Sequence, residues 1–208
     1  MHRLIFTGAQ GTGKTTVLNF YKEAGYNVIT EVVRNLAKKG VKINEDGDEK
    51  GQIKIFNEYK KLLGVFDVNG YISDRGLIDV TAYTMYLRDH GKISSNLADK
   101  QIKQLMKFRE QNPDITYCYF PIEFDIVDDG VRSLDEQFRA DIDRNIKWLL
   151  ENCGINHIVV KGTVEERIKK VARLMDWLTE GMYLFTSDKD VEDTDSVEQA
   201  TNHSSNPE

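Results

Sequence analysis

The sequence contains few of the residues on which several classes of protein depend. Its 208 residues include two cysteines and four histidines. The cysteines, Cys118 and Cys153, are too few for a disulfide framework and are not spaced as zinc ligands. The histidines lie far apart, which argues against a histidine-based metal site. Apolar runs are too short to span a bilayer and no secretory signal peptide is recognisable, so we expect a cytoplasmic protein without a membrane partner.

Charge is unevenly distributed along the chain. The net charge is −6, and residues 186–208 account for all of it, since they carry seven acidic side chains and one lysine. This segment is also rich in serine, threonine and asparagine, so we expect an acidic disordered tail. A solubilising role is the simpler interpretation of the tail, and electrostatic mimicry of nucleic acid is the alternative. The rest of the chain is neutral.

Short β-prone segments alternate with helical patterns over residues 1–185. Strands are predicted at 3–7, 26–30, 71–73, 115–120 and 157–160. Helices are predicted at 14–24, 31–39, 52–63, 77–89, 98–111, 133–151 and 163–178. Capping boxes, Ser133 with Glu136 and Thr163 with Glu166, open the last two helices. This alternation predicts one α/β domain over residues 1–185, built on a parallel sheet with helices on both faces.

A phosphate-binding motif follows the first predicted strand. The segment 8–15 fits G-x-x-x-x-G-K-[ST] and lies between a strand and a helix, the context that this motif requires. Its glycines let successive N–H groups face an anion, and the helix that follows adds its positive end. Lys14 is predicted to reach the β- and γ-phosphates of ATP from a solvent-facing position, and Thr15 to hold Mg²⁺. The predicted nucleotide-binding residues are Gly8, Ala9, Gln10, Gly11, Thr12, Gly13, Lys14, Thr15 and Thr16.

Three stretches resemble the small P-loop nucleoside and nucleotide kinases. They are GAQGTGKTT at 8–16, ISDRGLIDVTAY at 72–83 and DDGVRSLDEQFR at 128–139. The sequence is most similar to the thymidylate-kinase-like and nicotinamide-riboside-kinase-like group, which includes bacteriophage versions. The resemblance implies the P-loop NTPase fold, with five parallel strands, the first and third adjacent, and a small arginine-bearing lid at about 121–140. It also implies ATP and Mg²⁺ as cofactors and, for a phage protein, a location in the host cytoplasm.

Asp74 and Arg75 follow the third predicted strand. Ligand-facing residues of an open parallel sheet lie at the carboxyl ends of the strands. Asp74 is therefore predicted beside the phosphate loop, where its carboxylate can hold Mg²⁺ directly or through water. The similar Asp-Arg pair of thymidylate-type kinases implies that Arg75 binds an anionic acceptor or the transferring phosphate. In the alternative, Asp74 caps the next helix and Arg75 pairs with Asp79 one turn on.

Glu31 and Arg34 follow the second predicted strand. Related nucleoside kinases keep an acid here, so the resemblance implies that Glu31 accepts the proton of the acceptor hydroxyl during in-line attack. Arg34 lies one helical turn further on the same face and is a candidate substrate ligand. The alternative for Glu31 is an acid in the first helical turn that stabilises the helix dipole.

Residues 128–139 are interpreted as the core of the lid. Arg132 is predicted just before a helix N-terminus, where its guanidinium can bind phosphate. Arg139 follows two turns on and is a candidate lid residue that contacts the substrate. A basic lid excludes water and stabilises charge in the transition state. A solvated surface charge is the alternative for Arg132.

These features together predict an ATP- and Mg²⁺-dependent kinase that acts on a nucleoside, a nucleotide or a nucleotide-like small molecule. The predicted catalytic residues are Lys14, Glu31, Asp74, Arg75 and Arg132. One alternative is a phage kinase that phosphorylates 5-hydroxymethyluracil in DNA, although the neutral body of the chain lacks the basic face typical of DNA binding. The other alternative is a nucleotide-binding regulatory ATPase without an acceptor.

Four aromatic residues have two interpretations. Phe56, Tyr59, Tyr83 and Tyr86 either stack on an acceptor base or, as their helical spacing favours, belong to the core. Family members are often dimers, so a homodimer is compatible with the resemblance, but no apolar stripe in the sequence identifies an interface.

Overall fold

A computed structural model describes residues 2–65, 70–125 and 135–179 of the chain. The expected acidic tail at 186–208 lies outside the described residues. So does the segment 126–134 in the middle of the expected lid, which includes Arg132. Within the described part, no helix is both long enough and apolar enough to cross a membrane.

Strands and helices alternate along the described ranges. The strands are β1 (Arg3–Thr7), β2 (Val28–Ile29), β3 (Tyr71–Asp74), β4 (Ile115–Tyr119) and β5 (His157–Val159). The helices are α1 (Lys14–Glu23), α2 (Val32–Ala37), α3 (Glu49–Val65), α4 (Leu77–Asp89), α5 (Ser95–Gln111), α6 (Glu136–Asn152) and α7 (Val164–Thr179). A short 3₁₀ helix, Asn44–Asp46, precedes α3.

The five strands form one parallel sheet in the order β2-β3-β1-β4-β5. The first and third strands are adjacent, which confirms the expected P-loop NTPase fold. Phe6 of β1 pairs with Asp74 of β3, and Thr7 pairs with Tyr119 of β4. This register brings the carboxyl ends of three strands to one edge of the sheet, so the loop after β1 lies beside Asp74.

Alternate side chains of β1 pack into two cores on opposite faces of the sheet. Leu4 and Phe6 are fully buried in a cluster with side chains of α1 and α7. Ile5 is fully buried in a larger cluster with side chains of α2 to α6. Successive residues of a strand point to opposite faces, so this pattern requires a sheet covered on both sides. The predicted helices on both faces are therefore confirmed.

The second strand and the third helix differ in length from the prediction. β2 has two residues rather than five, and it lies at the edge of the sheet, where it pairs with β3 alone. α3 begins at Glu49 rather than at residue 52. The cause is local, because the Asp48 carboxylate accepts a hydrogen bond from the Gly51 N–H at 2.8 Å and so caps the helix.

The two predicted capping boxes have different outcomes. The second is confirmed: Thr163 N–H donates to the Glu166 carboxylate at 2.7 Å, and Glu166 N–H donates to the Thr163 hydroxyl at 3.3 Å. The first is wrong, because Asp135 caps α6 and accepts hydrogen bonds from two N–H groups of the first turn. Ser133, the expected cap, lies outside the described residues. A carboxylate immediately before the helix satisfies these N–H groups directly.

Candidate active site

The loop between β1 and α1 has the backbone that its glycines predict. Gly8 and Gly13 have φ values of 143° and 84°, which favour glycine. A Cβ on Gly8 would lie 2.4 Å from the carbonyl oxygen of Phe120, and one on Gly13 would lie 2.8 Å from Arg167 Nη1. Neither position can carry a side chain without displacing a neighbour. The motif therefore adopts the tight turn that the phosphate-binding interpretation needs.

Two buried arginines hold the outer side of this loop. Arg139 Nε donates to Gln10 O at 3.0 Å, and Arg139 Nη2 donates to Gly11 O at 3.3 Å. Arg167 Nη1 donates to Thr12 O. In a trans peptide the carbonyl and the following N–H point in opposite directions. The N–H groups of residues 11, 12 and 13 therefore point away from the arginines, as an anion-binding nest requires.

Arg139 was predicted to contact the substrate from the lid, and the structure places it elsewhere. Its side chain is 1% exposed, and its guanidinium also donates to Phe124 O at 2.6 Å. The residue follows one turn after the start of α6, so its reach toward the loop depends on the packing of that helix. Its described contacts support the loop from behind rather than facing a substrate.

Arg167 was not identified from the sequence. It is 1% exposed, it donates to Gly162 O at 2.8 Å, and its guanidinium pairs with Glu123. The guanidinium also lies 4.7 Å from the centre of the Phe124 ring. No local motif marks this arginine within α7, because its partners come from distant parts of the chain.

Lys14 occupies a buried position rather than the solvent-facing position that we expected. Its side chain is 4% exposed. Nζ donates to Gly8 O at 2.8 Å, to Ala9 O at 2.7 Å and to Thr12 Oγ1 at 3.0 Å. The lysine is held inside the loop by oxygen atoms, and phosphate oxygens are acceptors of the same kind. The charge is therefore already placed where the motif predicts phosphate binding.

Thr15 and Asp74 come together as predicted. The Thr15 hydroxyl donates to Asp74 Oδ2 at 3.0 Å. Asp74 Oδ1 is buried and has no hydrogen-bond partner in the part of the chain that the structure describes. A hydroxyl oxygen and a carboxylate oxygen beside a phosphate loop suit Mg²⁺, which binds oxygen ligands and takes the rest from water and phosphate. Among the described residues no cluster of three His, Cys, Asp or Glu side chains forms a complete metal site, so the nucleotide would have to complete the coordination.

Arg75 has a strained backbone and three neighbours. Its φ of 76° is in the left-handed region. Arg75 Nη1 lies 3.4 Å from Asp79 Oδ1 and donates to Gly8 O at 3.3 Å, and the guanidinium lies 5.5 Å from the centre of the Tyr83 ring. The pairing with Asp79 that we held as the alternative is therefore present, and Arg75 also contacts the phosphate loop.

Asp79 links α4 to the phosphate loop, and the sequence analysis assigned it no functional role. Its carboxylate is buried and accepts hydrogen bonds from Gly8 N–H at 3.3 Å and from Gly76 N–H at 3.0 Å. Burial raises the pKa of this carboxyl group, while Arg75, Lys14 and the two N–H groups oppose that rise. Asp79 therefore anchors the first glycine of the loop.

Glu31 and Arg34 line the cavity that also contains the phosphate loop. Arg34 Nη1 is 3.6 Å from Glu31 Oε1, and both side chains are more than 40% exposed. Glu31 has a φ of 60° and Asn44 has one of 54°. In the described part of the chain, Glu31, Asn44 and Arg75 are the three non-glycine residues with positive φ, and all three line this cavity. Strained backbone concentrates at functional sites, which supports the assignment.

The cavity extends from the phosphate loop to an apolar end. Its volume of about 140 Å³ is close to that of an engineered cavity that holds benzene, so it can enclose one ring of a larger ligand. The apolar wall consists of Val32, Val33, Ile43, Ile55 and Val80. Of the four ambiguous aromatic residues, Tyr59 and Tyr83 line the cavity. Phe56 and Tyr86 belong to the core.

Solved structures with this fold include several nucleotide-binding proteins. A deoxyadenosine kinase from M. mycoides, solved with dCMP and dCDP, has a TM-score of 0.58 and 15% sequence identity over 84% of this chain and 98% of its own. A NadR protein in complex with NR has a TM-score of 0.63 and 15% identity over 85% of this chain. The matched region is about half of NadR, 51% of its length. At these identities the likeness shows a shared fold.

A third structure is YorR from Bacillus subtilis, in complex with phosphorylated GDP. It has a TM-score of 0.52 and 17% identity over 85% of this chain and 97% of its own. A search of curated proteins found no match to this sequence. A family model described as an AAA domain matches residues 3–167, which contain the phosphate loop, the strained residues and both buried arginines. The chain therefore belongs to this AAA domain family.

Proposed function

We propose that this protein is an ATP- and Mg²⁺-dependent kinase that transfers the γ-phosphoryl group to a hydroxyl of a nucleoside or nucleotide-like acceptor. One observation carries the proposal: a single cavity joins the phosphate loop, the Thr15–Asp74 pair and the carboxylate of Glu31. A nucleotide switch needs the first two features. It has no use for a carboxylate and an apolar pocket beyond the phosphate site.

Each group has a distinct role in this reaction. The loop N–H groups and Lys14 bind the phosphates and neutralise charge that develops on the transferring group. Thr15 and Asp74 would hold Mg²⁺, which supplies further neutralisation of phosphate charge when it is bound. Glu31 would orient the acceptor hydroxyl and take its proton. Arg75, between the loop and the acceptor side of the cavity, would stabilise the phosphoryl group in transfer.

The charges of the cavity favour a hydroxyl acceptor without a phosphate of its own. Three cationic and three carboxylate side chains line it, namely Lys14, Arg34 and Arg75 with Glu31, Asp74 and Asp79. Arg34 lies beside Glu31 and Arg75 beside Asp79, so little uncompensated positive charge remains for a second phosphate. The apolar wall suits a base or a similar ring. Deoxyadenosine kinase and the NR complex of NadR are consistent with such an acceptor.

The test is transfer of labelled γ-phosphate from ATP, with Mg²⁺, to a parallel panel of acceptors. The panel holds deoxynucleosides, deoxynucleoside monophosphates, nicotinamide riboside and duplex DNA with or without 5-hydroxymethyluracil. We expect label on a nucleoside-like acceptor. Label on modified DNA alone would replace the proposal with a DNA-modifying kinase. Hydrolysis of ATP without any labelled acceptor would favour a regulatory ATPase.

Lys14→Ala is the first variant to measure. Removing a charge that stabilises the transferring phosphoryl group should lower turnover about 10²- to 10³-fold. Lys22→Ala is the matched control, because Lys22 lies on the same helix and is exposed. Full turnover in the Lys14 variant would end the kinase proposal, provided that its circular dichroism and melting temperature match those of the control.

A further inference from the structure

The side chain of Gln10 has a hydrogen-bond donor that no atom of the described residues satisfies. Gln10 is 5% exposed and lines the cavity beside the phosphate loop. Its Nε2 is buried and has no hydrogen-bond partner within residues 2–65, 70–125 and 135–179. Leaving a buried amide donor unsatisfied costs about 1–3 kcal/mol. A ligand oxygen in the cavity would remove that cost, so the donor is a candidate ligand contact.

Tyr83 engages one end of the Gln10 amide. The Tyr83 hydroxyl donates a hydrogen bond to Gln10 Oε1 at 3.0 Å. The NH₂ group is therefore the end of the amide that has no hydrogen-bond partner among the described residues.

The position of Gln10 is held at both of its ends. Its backbone oxygen accepts a hydrogen bond from Arg139 Nε at 3.0 Å. The Tyr83 ring that fixes its side chain packs edge-on against Phe138, with ring centres 5.7 Å apart. A polar group that is fixed before the ligand arrives discriminates well, because it cannot turn to find another partner.

We propose that Gln10 is a specificity-determining residue whose amide donates a hydrogen bond to an oxygen of the acceptor's sugar, either a hydroxyl oxygen or the ring oxygen, beside the hydroxyl that is phosphorylated. This inference rests on the proposed kinase function. The loop binds phosphate through its backbone, whereas the Gln10 side chain points toward Tyr83 on the acceptor side of the cavity. Gln10 therefore selects sugar-bearing acceptors that carry an oxygen at that place.

The test compares acceptors that differ by one oxygen. For the best acceptor of the wild-type protein, kcat/KM is measured beside analogues that lack one sugar hydroxyl or the ring oxygen. We expect the wild type to prefer the oxygenated form about 10- to 100-fold over one of these analogues. Gln10→Met, which keeps the length of the side chain but cannot donate, should remove that preference, and the loss should fall on the acceptor far more than on KM for ATP.

Two further variants make the result specific. Tyr83→Phe leaves Gln10 in place but frees its amide to turn, so we expect a partial loss of the same preference. Gln111→Met is the matched control, because Gln111 is exposed at the end of α5. The melting temperature of each variant reports whether it folds. If Gln10→Met does not fold, the comparison of wild type with Tyr83→Phe provides the test.

The outcomes separate this inference from the proposed function. No transfer by the wild type to any acceptor overturns the kinase proposal, and the inference with it. Transfer by the wild type with the preference unchanged in both variants overturns the inference alone. A uniform loss across all analogues, or a loss that appears only in KM for ATP, also overturns it, because the donor would then serve the loop or the nucleotide.

Discussion

At the scale of single residues, the candidate site depends on side chains that a strained backbone places. Arg75 is left-handed at the end of β3, a conformation that costs about 1–3 kcal/mol for a non-glycine residue. Its N–H donates to Phe6 O at 2.9 Å, and its carbonyl oxygen accepts from the Ser73 hydroxyl at 2.7 Å. These bonds hold the turn, so that the guanidinium reaches Gly8 and Tyr83 instead of continuing along the strand. The strain is thereby used to position charge.

A second prediction at the scale of single residues concerns the carboxylate of Asp74 and Mg²⁺. Asp74→Asn keeps the size of the side chain and removes the charge that would hold Mg²⁺. We expect kcat/KM for ATP to fall about 10- to 100-fold, and the Mg²⁺ concentration for half-maximal activity to rise. Asp89→Asn is the control, because Asp89 lies at the end of α4 in an exposed ion pair with Arg88. An unchanged Mg²⁺ titration would show that Asp74 serves only to bind Thr15.

At the scale of structural elements, the phosphate loop is shaped by two helices that contact it from behind. α6 contributes Arg139 and α7 contributes Arg167, and each guanidinium is buried against carbonyl oxygens of the loop. Arginine suits this task because its planar fork of donors meets more than one oxygen at once. The orientation of the loop N–H groups is therefore a property of the sheet, the loop and both helices together.

Substituting these arginines by lysine tests the contribution of the helices. Arg139→Lys and Arg167→Lys keep the charge, but lysine cannot reach the same set of carbonyl oxygens. We expect the Kd for ATP, measured by calorimetry, to rise about 5- to 30-fold in each variant, the equivalent of about 1–2 kcal/mol. Arg144→Lys is the control, since Arg144 is an exposed residue of the same helix as Arg139. Lower melting temperatures with unchanged ATP affinity would show that the arginines stabilise the fold without shaping the loop.

At the scale of the whole molecule, one ion pair ties the starts of two central strands together on the side opposite the site. Arg3 of β1 donates to the Asp114 carboxylate, which precedes β4, through Nε at 2.6 Å and also through Nη2. This bidentate contact lowers the pKa of the Asp114 carboxyl group below its ordinary value near 3.8. Asp114 is partly exposed, so solvent screens the pair and its contribution to stability is modest.

This pair makes the unfolding of the protein depend on pH in a defined direction. Because the folded pKa of Asp114 is lowered, its contribution is present above pH of about 4 and is lost as the pH falls through the lowered pKa. At pH 7, Asp114→Asn should lower the melting temperature by about 1–4 °C. The difference from the wild type should shrink as the pH falls below about 4. A difference that stays constant from pH 7 into this acidic range would contradict the prediction.

Sequence patterns predicted some features of the fold and of the candidate site and missed others. The glycines, Lys14 and Thr15 form a local motif, and the alternation of strands and helices indicated the parallel sheet, so both were predictable. The meeting of Thr15 with Asp74 followed from the rule that strand ends share one edge. The buried position of Lys14 was missed, because a motif does not show which acceptors its lysine finds inside the loop.

The sequence by itself determined the phosphate loop, the alternation of strands and helices, and the polar residues that end the strands, because these depend on neighbours within a few positions along the chain. Only the tertiary structure decided that Arg139 and Arg167 hold the loop and that Asp79 anchors Gly8. It also decided that the Gln10 NH₂ group finds no partner among the described residues. The physical reason is that the contacts of Arg139, Arg167 and Asp79 join residues about 70 to 155 positions apart. Their partners are set by how helices pack on the sheet, which no local pattern encodes.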